Sequence, residues 1–174
     1  MDISQKSIAI LVEQQYQEME LWYPKFRFWE EGAEVSLIGP EKGQTYLSKV
    51  GYPAEADEAA SEVKGGDFDA LVIPGGFAPD FMRRNDHMIR LVREAFEADK
   101  VIAAICHGVW MLCSVPETIK GRKATCFMAI RHDVMNAGAE YVDQEVVTDG
   151  PIITSRKPDD LPAFCRAIMG KLAE

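Results

Sequence analysis

The amino-acid sequence predicts an α/β protein, a three-layer sandwich with a mainly parallel sheet. Short, uninterrupted apolar runs recur along the chain, and segments with helical periodicity stand between most of them. Uninterrupted apolar runs indicate strands that are buried on both faces, as in parallel sheets covered by helices. The chain has 174 residues, 47% of them hydrophobic, which is enough for one buried core. We therefore predict a single domain over residues 1–174.

The first predicted helix carries a row of large apolar side chains. It lies between buried strands at residues 7–12 and 34–38, and Gly32 ends it. The spacing of these apolar residues is that of one helix face, and we expect this face to pack in the core and not to form a ligand site. Its members are Met19, Trp22, Tyr23, Phe26 and Trp29.

Shorter elements are predicted before a third buried strand at residues 68–73. Residues 43–51 are bounded by glycines and predict a small β excursion. Residues 56–63 predict a short acidic helix that ends near Gly65 and Gly66.

The segment at residues 86–99 predicts an amphipathic helix that leads into a fourth strand at residues 101–105. His87 is expected on the exposed face of this helix. The inward face consists of Met88, Leu91, Val92 and Phe96.

The last part of the chain predicts a strand at residues 123–127 and a helix at residues 130–137 that Gly138 closes. Residues 145–148 and 152–155 flank Asp149-Gly150-Pro151 and predict a hairpin. A final helix follows, with Asp159 or Asp160 as its cap. Its apolar stripe consists of Leu161, Phe164, Ile168 and Leu172.

Cys106 follows the fourth strand directly and is the candidate nucleophile. The segment Ala104-Ile105-Cys106-His107-Gly108 has small residues two positions on either side of the cysteine, which is typical of the sharp strand-to-helix turn called a nucleophile elbow. A thiol at the start of a helix faces unpaired N–H groups, so we expect the thiolate to be favoured. The alternative is that Cys106 is a small buried core residue.

Two further features are expected at the same edge of the sheet. Gly75 and Gly76 follow the third strand, and glycines there free backbone N–H groups to bind an oxyanion, although an ordinary turn has the same pattern. Glu20 begins the first helix near the end of the first strand. Since ligands bind at the carboxyl ends of parallel strands, Glu20 and Cys106 are expected to face each other across a crevice.

Composition excludes several classes of function. The formal net charge of −9, without an extended basic cluster, argues against nucleic-acid and anionic-membrane partners. The N-terminus lacks the pattern of a secretory signal and no apolar run is long enough to span a membrane, so we expect a cytoplasmic protein. The loop at residues 13–20 has no glycine and three acidic residues, which excludes a nucleotide-phosphate site there.

The cysteines predict neither a disulfide framework nor a metal site. They form no C-x-x-C pair and have no zinc-ligand spacing. They are Cys106, Cys113, Cys126 and Cys165. With no nucleotide motif either, we expect no cofactor.

Five motifs together resemble the ThiJ/PfpI family in order and spacing, over essentially the whole chain. They are Glu18-Met19-Glu20-Leu21-x-Tyr23-Pro24, Pro74-Gly75-Gly76-x-Ala78-Pro79-Asp80, Ala104-Ile105-Cys106-His107-Gly108, Asn136-Ala137-Gly138 and Ser155-Arg156. The resemblance implies a flavodoxin-like sandwich without flavin, with the elbow also found in class I glutamine amidotransferases.

The resemblance also implies roles for individual residues. Cys106 would be the nucleophile and Glu20 a buried acid beside its sulfur. Backbone N–H groups around Gly76 and His107 would form the oxyanion site, with Gly75 and Gly108 beside them. A carboxylate and a thiolate in one crevice do not both ionise cheaply, so we expect Glu20 to be protonated and to donate to the sulfur.

In the branch of the family with Cys followed by His, a neighbouring subunit supplies a third catalytic acid, which here would be Asp80. This aspartate stands where a glutamate is usual and is shorter by one methylene. The resemblance therefore implies a homodimer or homohexamer. Val109-Trp110 stands where many relatives have Pro-Gln, and the indole is expected to pack rather than to narrow the crevice. His87 and His132 match no catalytic position.

These observations favour a cysteine-dependent enzyme. Its substrates would be small carbonyl compounds, as in a glutathione-independent glyoxalase or deglycase, or peptides and amides. The alternative is a stress-response redox sensor or chaperone-like protein in which Cys106 is oxidised. A class I glutamine amidotransferase needs a downstream His-x-Glu pair, whereas His132 is followed by Asp133 and Val134.

Overall fold

A seven-stranded sheet forms the centre of the protein in a computed structural model that describes residues 2–174. In chain order the strands are β1 (Ser7–Leu11), β2 (Glu34–Gly39), β3 (Thr45–Leu47), β4 (Pro53–Glu55), β5 (Glu58–Ala59), β6 (Ala70–Ile73), β7 (Val101–Ile105), β8 (Lys123–Ala124), β9 (Glu140–Tyr141), β10 (Val146–Asp149) and β11 (Ile152–Ser155). Four of them form two small two-stranded sheets, β3 with β4 and β8 with β9. The large sheet has the order β10-β11-β7-β6-β1-β2-β5. Within this seven-stranded sheet only β10 runs antiparallel to its neighbour, which confirms the mainly parallel sheet.

Helices cover this sheet. They are α1 (Glu18–Glu30), α2 (Ala78–Met82), α3 (Asp86–Glu97), α4 (Trp110–Cys113), α5 (Arg131–Asn136) and α6 (Leu161–Leu172). α1 and α6 pack on each other and against the sheet, while α3 packs against β6, β7 and α4. The predicted α/β sandwich is therefore confirmed. None of the helices between residues 2 and 174 has the length and apolar character needed to cross a bilayer.

The register of the central strands brings the candidate site together. All five residues of β7 are buried because the strand lies between β6 and β11 with both faces covered. Ile73 pairs with Ala104, and Ser155 pairs with Ile105. The carboxyl ends of β6, β7 and β11 therefore lie side by side, and the segments that follow them converge at this edge.

The large apolar stripe of α1 lies outside the core, contrary to our expectation. Met19, Tyr23, Phe26 and Trp29 are 51%, 40%, 53% and 66% exposed, and Trp22 is half-buried. The residues of α1 that are buried are Glu20, Leu21, Pro24 and Phe28. The prediction was wrong because it assigned the core-facing side by the helical spacing of the large apolar residues, whereas the sheet and α6 cover the adjacent face of the helix.

The prediction of an acidic helix at residues 56–63 is also wrong. Glu58 and Ala59 instead form β5, which pairs with β2. The guanidinium of Arg90 donates to the carbonyl oxygens of Ala60 and Val63 at 2.7 and 3.0 Å, which satisfies backbone acceptors without a helix.

Two predictions near the C-terminus need correction. Of the strand predicted at residues 123–127, only Lys123 and Ala124 form a β-strand. Asp160 occupies the N-cap position of α6, but its side chain makes no capping hydrogen bond. Its carboxylate instead accepts hydrogen bonds from Arg156 at 2.9 and 3.1 Å. The hairpin of β10 and β11 is confirmed.

Candidate active site

The backbone at Cys106 has the conformation of a nucleophile elbow. Its φ is +59°, a left-handed value that is strained for a residue with a side chain. Cys106 begins a 3-10 turn that ends at Val109 and continues into α4. A Cβ added to Gly108 would lie 2.2 Å from the carbonyl oxygen of Ile73. This close approach explains why the elbow needs a glycine two positions after the cysteine.

Glu20 lies fully buried beside the cysteine. Its Oε2 accepts a hydrogen bond from the N–H of Gly75 at 2.7 Å, while Oε1 is buried without a nitrogen or oxygen partner. A Cβ on Gly75 would lie 2.7 Å from Oε2 and 2.9 Å from the Cβ of Cys106, so only glycine lets the two side chains meet. Burial raises the pKa of Glu20 to about 7, and the carboxyl group is protonated in mildly acidic solution.

The ionisation of Cys106 differs from the prediction. We expected a helix N-terminus to lower the pKa of the thiol, yet α4 is a single turn and burial raises this pKa. A charged Glu20 raises it further, whereas hydrogen bonds from the N–H groups of His107 and Gly76 lower it. The thiolate is therefore stabilised by two backbone donors, and it forms most easily while Glu20 holds its proton.

His107 reaches the sulfur within the same chain. Its Nδ1 lies 3.4 Å from Sγ of Cys106, because the left-handed elbow turns the two neighbouring side chains toward each other. The ring packs against Phe127 with a centroid distance of 5.0 Å and meets the edge of Trp110 at 5.4 Å. Burial and the charge of Lys49 lower the pKa of His107, so the imidazole is neutral at pH 7 and able to accept a proton.

The three candidate glycines have different surroundings. The N–H of Gly76 points to the sulfur together with that of His107, which is the arrangement expected of an oxyanion site. The N–H of Gly75 is occupied by Glu20. Gly108 packs against β6 and does not line the cavity in front of the sulfur.

Asp80 lies apart from the other candidate catalytic residues. It stands in the first turn of α2, half-exposed, and forms an ion pair with Arg84 one helical turn later. Within this chain Asp80 does not reach His107. Its part in catalysis therefore stays a prediction that concerns a neighbouring subunit.

A cavity of about 180 Å³ opens in front of Cys106. Five of its lining residues were absent from the sequence prediction of the site: Gln17, Lys49, Phe77, Phe127 and Pro158. Lys49 belongs to the excursion at residues 43–51, which the sequence marks only by its glycines. Since that segment is distant from Cys106 along the chain, no local pattern connects the two.

The tryptophan and the two other histidines considered from the sequence lie outside this cavity. Trp110 packs, as expected, and its Nε1 donates to Asp133 at 2.9 Å. His87 and His132 are exposed. Among residues 2–174, no three His, Cys, Asp or Glu side chains are grouped as metal ligands, and the four cysteines are free.

Comparison with known proteins connects this geometry to a family. The model of the DJ-1/PfpI family matches residues 6–171. A deglycase named PfpI from Pyrococcus furiosus is 43% identical over 91% of this chain and 95% of its own length. General stress protein 18 of Bacillus subtilis is 40% identical over 96% of this chain and 98% of its own.

A crystal structure supports the same relationship. A two-domain protein from Anabaena variabilis, with DJ-1/ThiJ/PfpI-like and ferritin-like domains, is 43% identical and superposes with a TM-score of 0.94. The match covers 97% of this chain and 48% of that protein.

Proposed function

This chain belongs to the DJ-1/PfpI family, and we propose that it is a cysteine-dependent enzyme that converts small ketoaldehydes, free or as adducts, to hydroxy acids. The relative from Pyrococcus furiosus is named a deglycase, which supports chemistry on carbonyl groups. Relatives in this family have different names, among them deglycase and general stress protein. We therefore choose the substrate class from the geometry of this site.

The observation that carries the proposal is the set of groups around one sulfur. Cys106 stands at a strained elbow, with Glu20 on one side, His107 on the other and two backbone donors in front. The cavity of about 180 Å³ accommodates a molecule of a few carbon atoms and is small for an extended peptide.

We propose the following steps for a ketoaldehyde. The thiol of Cys106 adds to the aldehyde carbon, and its proton passes through His107 to the former aldehyde oxygen, whose negative charge the N–H groups of Gly76 and His107 stabilise during the addition. The neutral His107 then takes the proton from the former aldehyde carbon and returns it to the neighbouring carbon, while the hydroxyl proton moves to the neighbouring carbonyl oxygen, which leaves a hydroxy thioester. Water then cleaves the thioester and restores the thiol. The overall change is the addition of one water molecule, so no external oxidant is needed.

We also propose that the enzyme is a homo-oligomer in which Asp80 of one subunit orients His107 of another. Among residues 2–174, no carboxylate pairs with His107, which supports this proposal. A carboxylate on the far side of the ring would hold the imidazole in the tautomer that accepts a proton.

The test is the conversion of methylglyoxal to lactate without glutathione, by the wild type and by Cys106→Ala. We expect turnover by the wild type and a loss of at least about a thousandfold in the variant, because the attacking atom is gone. Circular dichroism of both proteins checks that the variant is folded. Equal turnover by the two proteins, or no turnover by either, would contradict the proposal.

A redox-stress function is the second candidate. The carboxyl group of Glu20 contacts the side chain of Cys106, its buried Oε1 has no hydrogen-bond partner, and one relative is named a general stress protein. Absence of methylglyoxal turnover together with rapid, selective oxidation of Cys106 by hydrogen peroxide would favour this candidate. Mass spectrometry of the peptide containing Cys106 distinguishes the two cases.

A further inference from the structure

The turn that carries Lys49 is attached to the active site through Tyr16. Tyr16 is fully buried and forms isolated β-bridges with Ser48 on one side and Gly76 on the other. The N–H of Lys49 donates to the carbonyl oxygen of Tyr16 at 3.0 Å. The same short stretch of backbone therefore positions both Lys49 and the oxyanion donor Gly76.

Side chains also hold this turn in place. The buried Oγ of Ser48 accepts hydrogen bonds from the N–H groups of Val50 and Tyr52 at 3.2 and 3.0 Å. The hydroxyl of Tyr16 donates to the carbonyl oxygen of Tyr52 at 2.7 Å and accepts from Nε1 of Trp22 at 3.1 Å. The turn is fixed at both ends, so Lys49 occupies a defined place at the rim of the cavity.

Lys49 forms no ion pair with any residue between 2 and 174. Lys25, Lys42, Lys157 and Lys171 each pair with a carboxylate, whereas Lys49 shares the lack of a partner with five other lysines but is the one of these six that lines the cavity. Its side chain is exposed and lines the cavity in front of Cys106. This leaves the ammonium group available to a ligand.

The charge of the cavity is consequently positive in mildly acidic solution. Glu20 is the only carboxyl group among the residues that line it, and this group holds a proton below about pH 7. Burial and the charge of Lys49 lower the pKa of His107, so the imidazole carries its proton less readily than an exposed histidine does. In a protein with a net charge of −9, a small cavity with one unpaired cation attracts anions.

We propose that Lys49 is a specificity residue that selects small carbonyl compounds bearing a carboxylate. Its ammonium group binds the carboxylate while the sulfur of Cys106 faces the carbonyl carbon. This role for Lys49 rests on the proposed function in one respect, which is that the sulfur of Cys106 is the attacking atom. The cavity volume limits such a substrate to a few carbon atoms.

The test uses two alkylating reagents of nearly equal shape, iodoacetate and iodoacetamide. The first carries a carboxylate and the second a neutral amide, and both transfer their methylene carbon to the sulfur of Cys106 with loss of iodide. The rates are measured by mass spectrometry of the peptide containing Cys106, at one pH and ionic strength. The informative quantity is the ratio of the iodoacetate rate to the iodoacetamide rate.

We expect Lys49→Gln to lower this ratio by about fivefold or more, since it removes the attraction for the carboxylate alone. Lys49→Arg keeps the charge and should keep the ratio within about twofold. Lys123→Gln is the matched control, because it changes the net charge equally on an exposed residue outside the cavity. It should leave the ratio unchanged.

Two results would overturn the proposal. An unchanged ratio in Lys49→Gln, with both rates altered equally or not at all, would mean that Lys49 acts on the thiol and binds no carboxylate. An equal fall in Lys123→Gln would mean that only the overall charge matters. Alkylation needs no turnover, so the absence of methylglyoxal conversion would contradict the proposed function and leave this measurement valid.

Discussion

Glu20 is fully buried, and its two carboxyl oxygens have different surroundings. Oε2 accepts the N–H of Gly75, while Oε1 is buried without a hydrogen-bond partner. An ionised carboxylate would leave Oε1 buried and charged, which is costly. Protonation removes this charge and gives the carboxyl group a hydrogen for its contact with the side chain of Cys106. The site is therefore arranged around a neutral acid and an ionisable thiol.

The raised pKa of Glu20 predicts a pH-dependent stability. The folded protein keeps this proton up to about pH 7, whereas the unfolded chain loses it near the ordinary value of 4.5. The stabilisation of the folded protein by this raised pKa is thus complete below about pH 4.5 and is lost as the pH rises through 7. Relative to Glu20→Gln, the free energy of unfolding of the wild type should fall by about 3 kcal/mol between pH 4.5 and 8.

Urea denaturation across this pH range measures the effect. Glu30→Gln is a suitable control, since the side chain of Glu30 is exposed and its removal should leave the pH dependence as in the wild type. Parallel curves for the wild type and Glu20→Gln would show that the buried carboxyl group does not titrate near neutrality.

At the scale of single elements, α1 presents two different faces. One face places Glu20 and Leu21 in the interior, and the other exposes Tyr23, Phe26 and Trp29 to solvent. Phe26 packs against Trp22 at 5.5 Å and against Trp29 at 6.4 Å, so the exposed rings form one continuous apolar surface. Surfaces of this kind are typical of contacts with another protein.

We predict that a second copy of the chain covers this face of α1. Replacing Phe26 and Trp29 together by serine should shift the protein toward smaller species, because the apolar area that drives association is lost. Sedimentation velocity at several concentrations measures the shift, and circular dichroism checks that α1 remains helical. Met135→Ser, at a residue 50% exposed on α5, is the control and should have no effect.

A wild-type protein that sediments as a monomer at every concentration would contradict this prediction. So would a double variant that associates as strongly as the wild type.

At the scale of the whole molecule, the candidate catalytic residues of a single chain lie in two separate places. Cys106, His107 and Glu20 meet at one edge of the sheet, while Asp80 binds Arg84 on α2. If a neighbouring subunit supplies Asp80, each site is built from two chains. The activity is then a property of the assembly.

Subunit complementation tests this arrangement. We expect Cys106→Ala and Asp80→Asn each to have little activity on methylglyoxal. Unfolding and refolding the two variants as a mixture should restore part of the activity, because a site with an intact Cys106 then receives Asp80 from the other chain. Lactate formation by the mixture, compared with each variant refolded alone, is the measurement. Full activity of Asp80→Asn alone would exclude a catalytic role for Asp80.

Local patterns were sufficient for the central strands of the sheet and for the elbow at Cys106. Buried parallel strands are short apolar runs, and β1, β6 and β7 were predicted because most of their neighbouring residues share the same buried environment. The elbow at Cys106 was predictable for the same reason, since small residues within two positions of the cysteine determine the turn. Glu20 was placed by its position at the end of a strand.

Only the tertiary structure decided which surface covers each element and which distant residues meet. The aromatic stripe of α1 has the spacing of a core face, yet α6 and the sheet cover the adjacent face. Lys49 lines the catalytic cavity because Tyr16 holds its turn there, and Asp160 binds Arg156 instead of capping α6. The pKa of Cys106 is raised by burial, which the sequence around the thiol does not specify. These features depend on contacts between residues far apart in the chain, and short-range periodicity carries no information about them.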